Sequence, residues 1–342
     1  MEEEFFMYEV NSGETLHEIA EKIGIQEEKL LQFHNSNCRD FNLPWFNNLT
    51  GVQKIIIPKN YKSPEQIWDE ISERLPPKSM LKEIYEEKYL VKEIFEQMGE
   101  EKMQYEYLFE LNLKQEKEIW IAETKKLRYI TNQETPDKKT SSIALLCIEA
   151  VSPIPVIISN IGGTLGILNP EDSEKKFKNK RKEIEGFYTD DISKKYLDDF
   201  QKELSVDGNF YQQICSSLLF QSIFPSLELF WKRKKFARKL FIILNSFPVE
   251  CEFTPHFQID DENIVINFFG KIIEKCTLSE LLQNIREEKD EDENPEKYID
   301  GQINLSYIFN SNKKLINIEA TVFLWNDNEL YLYHQLKMSQ NE

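Results

Sequence analysis

A chain of 342 residues with 40% hydrophobic and 12% aromatic side chains has enough apolar material for real cores, which excludes a wholly disordered protein. Its formal charge of −18 excludes nucleic acid as the partner of the whole chain, because phosphate is repelled unless a local basic patch dominates. The five cysteines (Cys38, Cys147, Cys215, Cys251, Cys276) are odd in number and lack C-x-x-C spacing, so they fit neither a disulfide framework nor a zinc site and point to a reducing compartment.

The opening M-E-E-E-F-F-M-Y-E-V has neither the basic start nor the apolar run of a signal peptide. The expectation is a cytoplasmic protein, or one delivered by a machine other than the general secretory route. Residues 7–11 alternate as a short strand, and Ser12-Gly13 turns the chain. Thr15 followed by Glu18 is a capping-box pattern, and Leu16, Ile19, Ala20 and Ile23 make one helical stripe ended by Gly24. Glu27–Asn35, with Leu30, Leu31 and Phe33, predicts a second helix, and Lys54–Ile57 before Pro58 predicts a closing strand.

This β-α-α-β unit, with Y-E-V-N-S-G-E-T-L-H-E-I-A at its start and G-V-Q-K-I-I-I-P at its end, resembles a LysM module. Such modules bind N-acetylglucosamine-containing glycans such as peptidoglycan in many bacterial proteins. The resemblance implies residues 1–60 as the module and a groove between the loop after the first strand and the loop before the last. The ligand-binding candidates it implies are Gly13, Glu14, Thr15, Leu16, Asn35, Phe41, Trp45 and Phe46. Two departures bear on that groove. The stretch between Asn35 and Gly51 is longer than is usual in the family, and its Phe41, Trp45 and Phe46 either extend the site by stacking on sugar rings or plug it. One extra residue between Gly51 and Pro58 displaces Gln53.

Residues 61–79 read as a linker with a short helix, begun by Ser63-Pro64, carried through Ile67, Trp68 and Ile71, and stopped by Pro76-Pro77. From about residue 80 the period becomes two. Met103, Tyr105, Tyr107, Phe109, Leu111 and Leu113 alternate as a long half-buried strand, with neighbours at Tyr89–Phe95 and Ile119–Ile130 in an antiparallel sheet with one covered face. The apolar stretch Ile143–Leu168, broken by Glu149, Pro153, Pro155 and Gly162-Gly163, predicts buried strands and no membrane span. Asn169-Pro170-Glu171-Asp172 predicts a helix start with Asn169 as its cap. Residues 171–245 show no strand-like alternation and predict two or three helices over the sheet, and strands return from Val249. The fold class expected for residues 80–342 is therefore α+β: strands 80–168, helices 170–245, strands 249–337, with the last strands completing or facing the first sheet.

No catalytic constellation, metal site or cofactor motif emerges. Cys251 and His256 lie close in sequence, but Pro255 stands between them without an orienting partner, and both read as packing residues. His17, His34, His256 and His334 lack metal-ligand spacing and read as structural. Gly162-Gly163 reads as a hairpin turn. The acidic run Arg286–Glu296 reads as a solvated loop. Trp231–Lys239 carries six cations in nine residues, making Lys232, Arg233, Lys235 and Arg238 docking candidates for an acidic partner or membrane surface. The simpler reading of that stretch is the solvated C-terminal end of a helix with Phe236 and Leu240 buried.

Beyond Pro58 the chain is loosely similar to LysM-containing proteins of Bacteroidetes-type bacteria, some of which resemble companions of type VI contractile secretion machinery. The resemblance implies a non-enzymatic binding or adaptor protein, an accessory or structural component of such an apparatus whose partner is another of its components. The alternatives are a peptidoglycan-binding protein delivered to the cell envelope and a cell-wall hydrolase.

Overall fold

The computed structural model describes residues 5–38, 49–58, 64–132, 134, 139–205, 209–286 and 298–341. The chain divides into two compact units, Met1–Glu73 and Arg74–Glu342.

The first unit runs β1 (Phe5–Glu9), α1 (Leu16–Ile23), α2 (Glu27–Asn37) and β2 (Lys54–Pro58), followed by α3 (Pro64–Arg74), whose last residue lies across the division. The strands pair antiparallel with Tyr8 opposite Ile55. α1 starts where the sequence says it should: the Thr15 hydroxyl accepts from Glu18 N–H at 3.2 Å, and the Glu18 carboxylate accepts from Thr15 N–H at 2.8 Å. It stops at Gly24, whose φ of +73° is open to glycine at no steric cost. Leu16, Ile19 and Ala20 then pack with Leu30, Leu49, Val52, Ile55 and Ile57 in one buried cluster. His34 is buried, and its Nδ1 accepts from Ile56 N–H at 3.0 Å, tying α2 to β2.

The second unit contains β3 (Lys88–Gln97), β4 (Met103–Glu116), β5 (Ile119–Thr131), α4 (Lys139–Val151), β6 (Ile154–Ser159), β7 (Thr164–Ile167), α5 (Pro170–Phe187), α6 (Asp191–Ser205), α7 (Asn209–Ser216), α8 (Leu218–Ile223), β8 (Phe236–Leu240), β9 (Val249–Asp260), β10 (Asn263–Ile272), α9 (Leu278–Gln283), β11 (Asp300–Phe309), β12 (Leu315–Asn326) and β13 (Glu329–Gln340). Its strands form one sheet, in the order β7-β6-β5-β4-β3-β13-β12-β11-β10-β9-β8, with every neighbouring pair antiparallel. Two meanders thus meet at β3 and β13, the first and last strands of the unit, and the late strands complete the early sheet. The Gly162-Gly163 turn joins β6 to β7, with both glycines at positive φ.

One face of the sheet is covered. Phe230 sits in a 3-10 turn and meets Tyr307, Phe309 and Phe268 at ring separations of 4.9, 5.1 and 6.0 Å, while Phe220 of α8 meets Phe109 at 6.1 Å. The opposite face carries cross-strand ion pairs such as Lys92–Glu106 at 2.8 Å and Lys337–Glu319 at 3.0 Å, the polar side of the period-two pattern.

Three expectations need correction. Ile143–Leu168 is not all strand: residues up to Val151 belong to α4, which buries Ile143, Cys147 and Val151 at four-residue intervals, and only β6 and β7 follow. A continuous apolar run looks the same in a buried helix and a buried strand. Asn169 is not a side-chain cap; its backbone is left-handed at φ +48°, and its side chain makes no cap hydrogen bond, so Pro170 and the acids Glu171 and Asp172 mark the start of α5. Among the described residues, 171–245 hold four α-helices and a 3-10 turn, and they also hold the edge strand β8, whose inward Phe236, Arg238 and Leu240 are hidden in sequence by the density of charge. Among the described residues, no helix is long and apolar enough to cross a membrane.

Candidate functional site

In the first unit the loop after β1 turns at Gly13, φ +85°, and leads into α1. Glu14 follows, and its carboxylate is enclosed by its own partners at the surface of the unit, with 5% of the side chain exposed. Tyr8 donates its hydroxyl at 2.8 Å, the Asn11 backbone N–H donates at 3.0 Å, the Asn11 amide donates at 3.2 Å, and the Lys22 ammonium completes the set. Led by the Lys22 and Asn11 hydrogen bonds, these donors hold the carboxyl at a pKa of about 2. Thr15 is spent on the helix cap. Leu16 is a core residue with no exposed surface, which corrects its assignment to the groove. Asn35 is exposed on α2. Phe41, Trp45 and Phe46 lie outside the described residues, as does nearly all of the acidic run Arg286–Glu296.

The basic stretch is not the end of an α-helix: Lys232 caps the 3-10 turn Leu227–Trp231, and the rest runs into β8. Lys232–Lys235 form an exposed turn leading into β8; Lys235 pairs with Glu252 at 3.2 Å. Arg238 points to the covered side and donates Nη2 to the Gln221 carbonyl at 3.3 Å, so it does not share a surface with Lys232, Arg233 and Lys235. Strand parity separates Cys251 from His256: the cysteine is buried, the histidine is exposed on the other face, and the two cannot act together.

A more concentrated polar constellation lies in the second unit, on the covered face at the β3–β13 seam. Glu93 of β3 stands in the inward series Tyr89, Val91, Glu93, Phe95. Its Oε1 accepts from the Tyr107 hydroxyl on β4, and its Oε2 lies 3.1 Å from Nε2 of His334 on β13. His334 also meets the Phe95 ring edge-on at 5.6 Å. Lys126 of β5 places its ammonium 4.6 Å from the centre of the Tyr107 ring, which packs on Tyr129 at 5.0 Å.

Electrostatics knit these groups together. Desolvation pushes the Glu93 carboxyl upward, but the His334 hydrogen bond, the Lys126 charge and the Tyr107 hydroxyl outweigh it and hold the carboxyl at about 2. Burial lowers the Lys126 ammonium, with Glu93 pulling the other way. Burial raises the Tyr105, Tyr107 and Tyr129 hydroxyls, and the nearby Glu93 charge adds to it. Glu93, Tyr105, Lys126 and His334 line a cavity of about 490 Å³ that is closed on the far side by Leu218 and the segment Phe241–Leu244. Lys126 and Ser217 also line an adjoining cavity of about 230 Å³.

Sequence reasoning did not single out this cluster. The available signal was a chargeable residue at an inward-parity position of a strand, as in Leu332, His334, Leu336 and in Trp120, Ala122, Thr124, Lys126. Comparison with protein-family models and with curated proteins matches the chain to no family and no relative.

Proposed function

We propose that the chain is a non-enzymatic binding or adaptor protein in which the first unit is a LysM-type docking module used for protein contact. The observation that carries this reading is the engagement of the loop after β1: Glu14 is saturated by Tyr8, Asn11 and Lys22, and Thr15 is held by the α1 cap. Sugar recognition needs polar groups free to meet hydroxyls, and these are committed within the unit. Phe6 and Met7 of β1 are 55% and 58% exposed, apolar area of the kind a protein partner covers. The sequence resemblance supplies the partner class, a component of a contractile secretion apparatus of type VI kind.

Sedimentation of the full chain with purified peptidoglycan tests the reading. The expected result is protein left in the supernatant. Retention of the wild-type chain, abolished in a Trp45→Ala, Phe46→Ala double variant, would overturn protein contact in favour of glycan binding.

A further inference from the structure

The polar cluster of the second unit is asymmetric in how its charges are satisfied. Glu93 has both oxygens engaged, one by Tyr107 and one by His334. Lys126 offers three donors, yet among the described residues its ammonium has no hydrogen-bond acceptor and no ion pair, only the face of the Tyr107 ring. Lys126 is part-buried, and an ammonium that borders a cavity with no protein acceptor is free to donate to an anion bound there.

The position of Lys126 says where that acceptor would sit. The side chain borders both the cavity of about 490 Å³ and the adjoining one of about 230 Å³. The larger volume falls within the range of roughly 300–1,000 Å³ seen for small-molecule sites. Away from Glu93, Lys126 and His334, the lining is uncharged and mainly apolar, from Leu218, Phe241–Leu244 and Leu332, with Gln97, Tyr331, Ser216 and Ser217 among them. A charged wall joined to an uncharged, mainly apolar one describes an amphipathic ligand. The Glu93 carboxylate in the same cluster disfavours a dianion, so the head group that fits is a monoanion.

We propose that this cavity is a binding site for an amphipathic monocarboxylate, with the carboxylate accepting from Lys126 Nζ and the hydrocarbon body lying against Leu218 and Phe241–Leu244. Tyr107, whose ring faces the Lys126 ammonium and whose hydroxyl is held by Glu93, is the positioning residue here, with Glu93 itself held by His334.

Calorimetric titration of the full chain with octanoate and with octan-1-ol, which share the hydrocarbon body and differ in charge, tests the proposal. Octanoate is expected to bind about tenfold or more tighter than the alcohol, the margin of a charge-assisted hydrogen bond. In Lys126→Met, octanoate is expected to fall to the affinity of octan-1-ol. Leu244→Trp, at a position bordering both cavities, adds bulk to their lining while keeping Lys126, and is expected to abolish binding of both compounds. The proposal is overturned if wild type does not bind octanoate, if acid and alcohol bind equally, or if Lys126→Met retains the preference for the acid. Should Lys126→Met not fold, the wild-type comparison and Leu244→Trp decide the matter.

Discussion

Glu14 in the first unit and Glu93 in the second are both held at a pKa of about 2, but against different opposing forces. Glu14 lies at the surface among donors from its own neighbourhood: Tyr8, Asn11 and Lys22. Glu93 lies on the covered face of the sheet, where desolvation works against its charge, and is rescued by His334 from the far end of the chain, by Lys126 from β5 and by Tyr107 from the adjacent β4. The difference teaches that one apparent acidity arises either from local turn chemistry or from assembly of a whole sheet. Glu93 also lines a cavity.

The largest expected effect follows from breaking the interior member. Glu93→Ala removes the acceptor of the Tyr107 hydroxyl and the partner of His334, and a polar group left without its partner in such a site costs about 2 kcal/mol. Urea unfolding of the second unit should show it as a lowered midpoint. Adding Tyr107→Phe to that variant should restore part of the loss, because the hydroxyl left without its acceptor is then gone.

Acid sharpens the same contrast. The folded pKa of Glu93 lies below the ordinary value of about 4.3, so its stabilising contribution is complete above about pH 5 and is lost as pH falls towards 2. Stability of the second unit should decline across that window, and Glu93→Gln should flatten that part of the decline. A urea midpoint equally pH-dependent in the variant would remove Glu93 from the account.

A smaller effect is expected from Thr15→Ala, which deletes the α1 cap and should cost the first unit about 1 kcal/mol. Hydrogen exchange should register it as loss of protection in Leu16–Ile23, with the strands of the second unit unchanged. The smallest is a salt effect. In 1 M salt the carboxyl resonance of Glu14 should titrate closer to the usual carboxylate range, since screening reaches an ion pair at the surface, while that of Glu93 should scarcely move. Equal movement of both would end the distinction between them.

Much of the architecture is legible in the residues. The Thr15–Glu18 box, the Gly24 stop, the Gly162-Gly163 hairpin and the alternation of β4 each involve neighbours in sequence, and the structure follows them. Where the pattern was ambiguous, the reading failed. An uninterrupted apolar run concealed α4, and a run of lysines and arginines concealed the five-residue β8. In the candidate groove, the apolar stripe that predicts α1 also assigns Leu16 to the core, so its place among ligand contacts did not survive.

What the sequence by itself determined is whatever depends on a few consecutive residues: the β-α-α-β order, the caps, the turns, and which parity of each strand faces inward. Only the tertiary structure decided the partners. Glu93 and His334 are 241 residues apart and meet because β13 docks on β3 in one register, with Phe95 opposite His334. Parity can tell that Glu93, Lys126 and His334 all point to the covered side. It cannot tell that they point at one another, because that depends on strand order and register, which are fixed by the packing of the whole sheet.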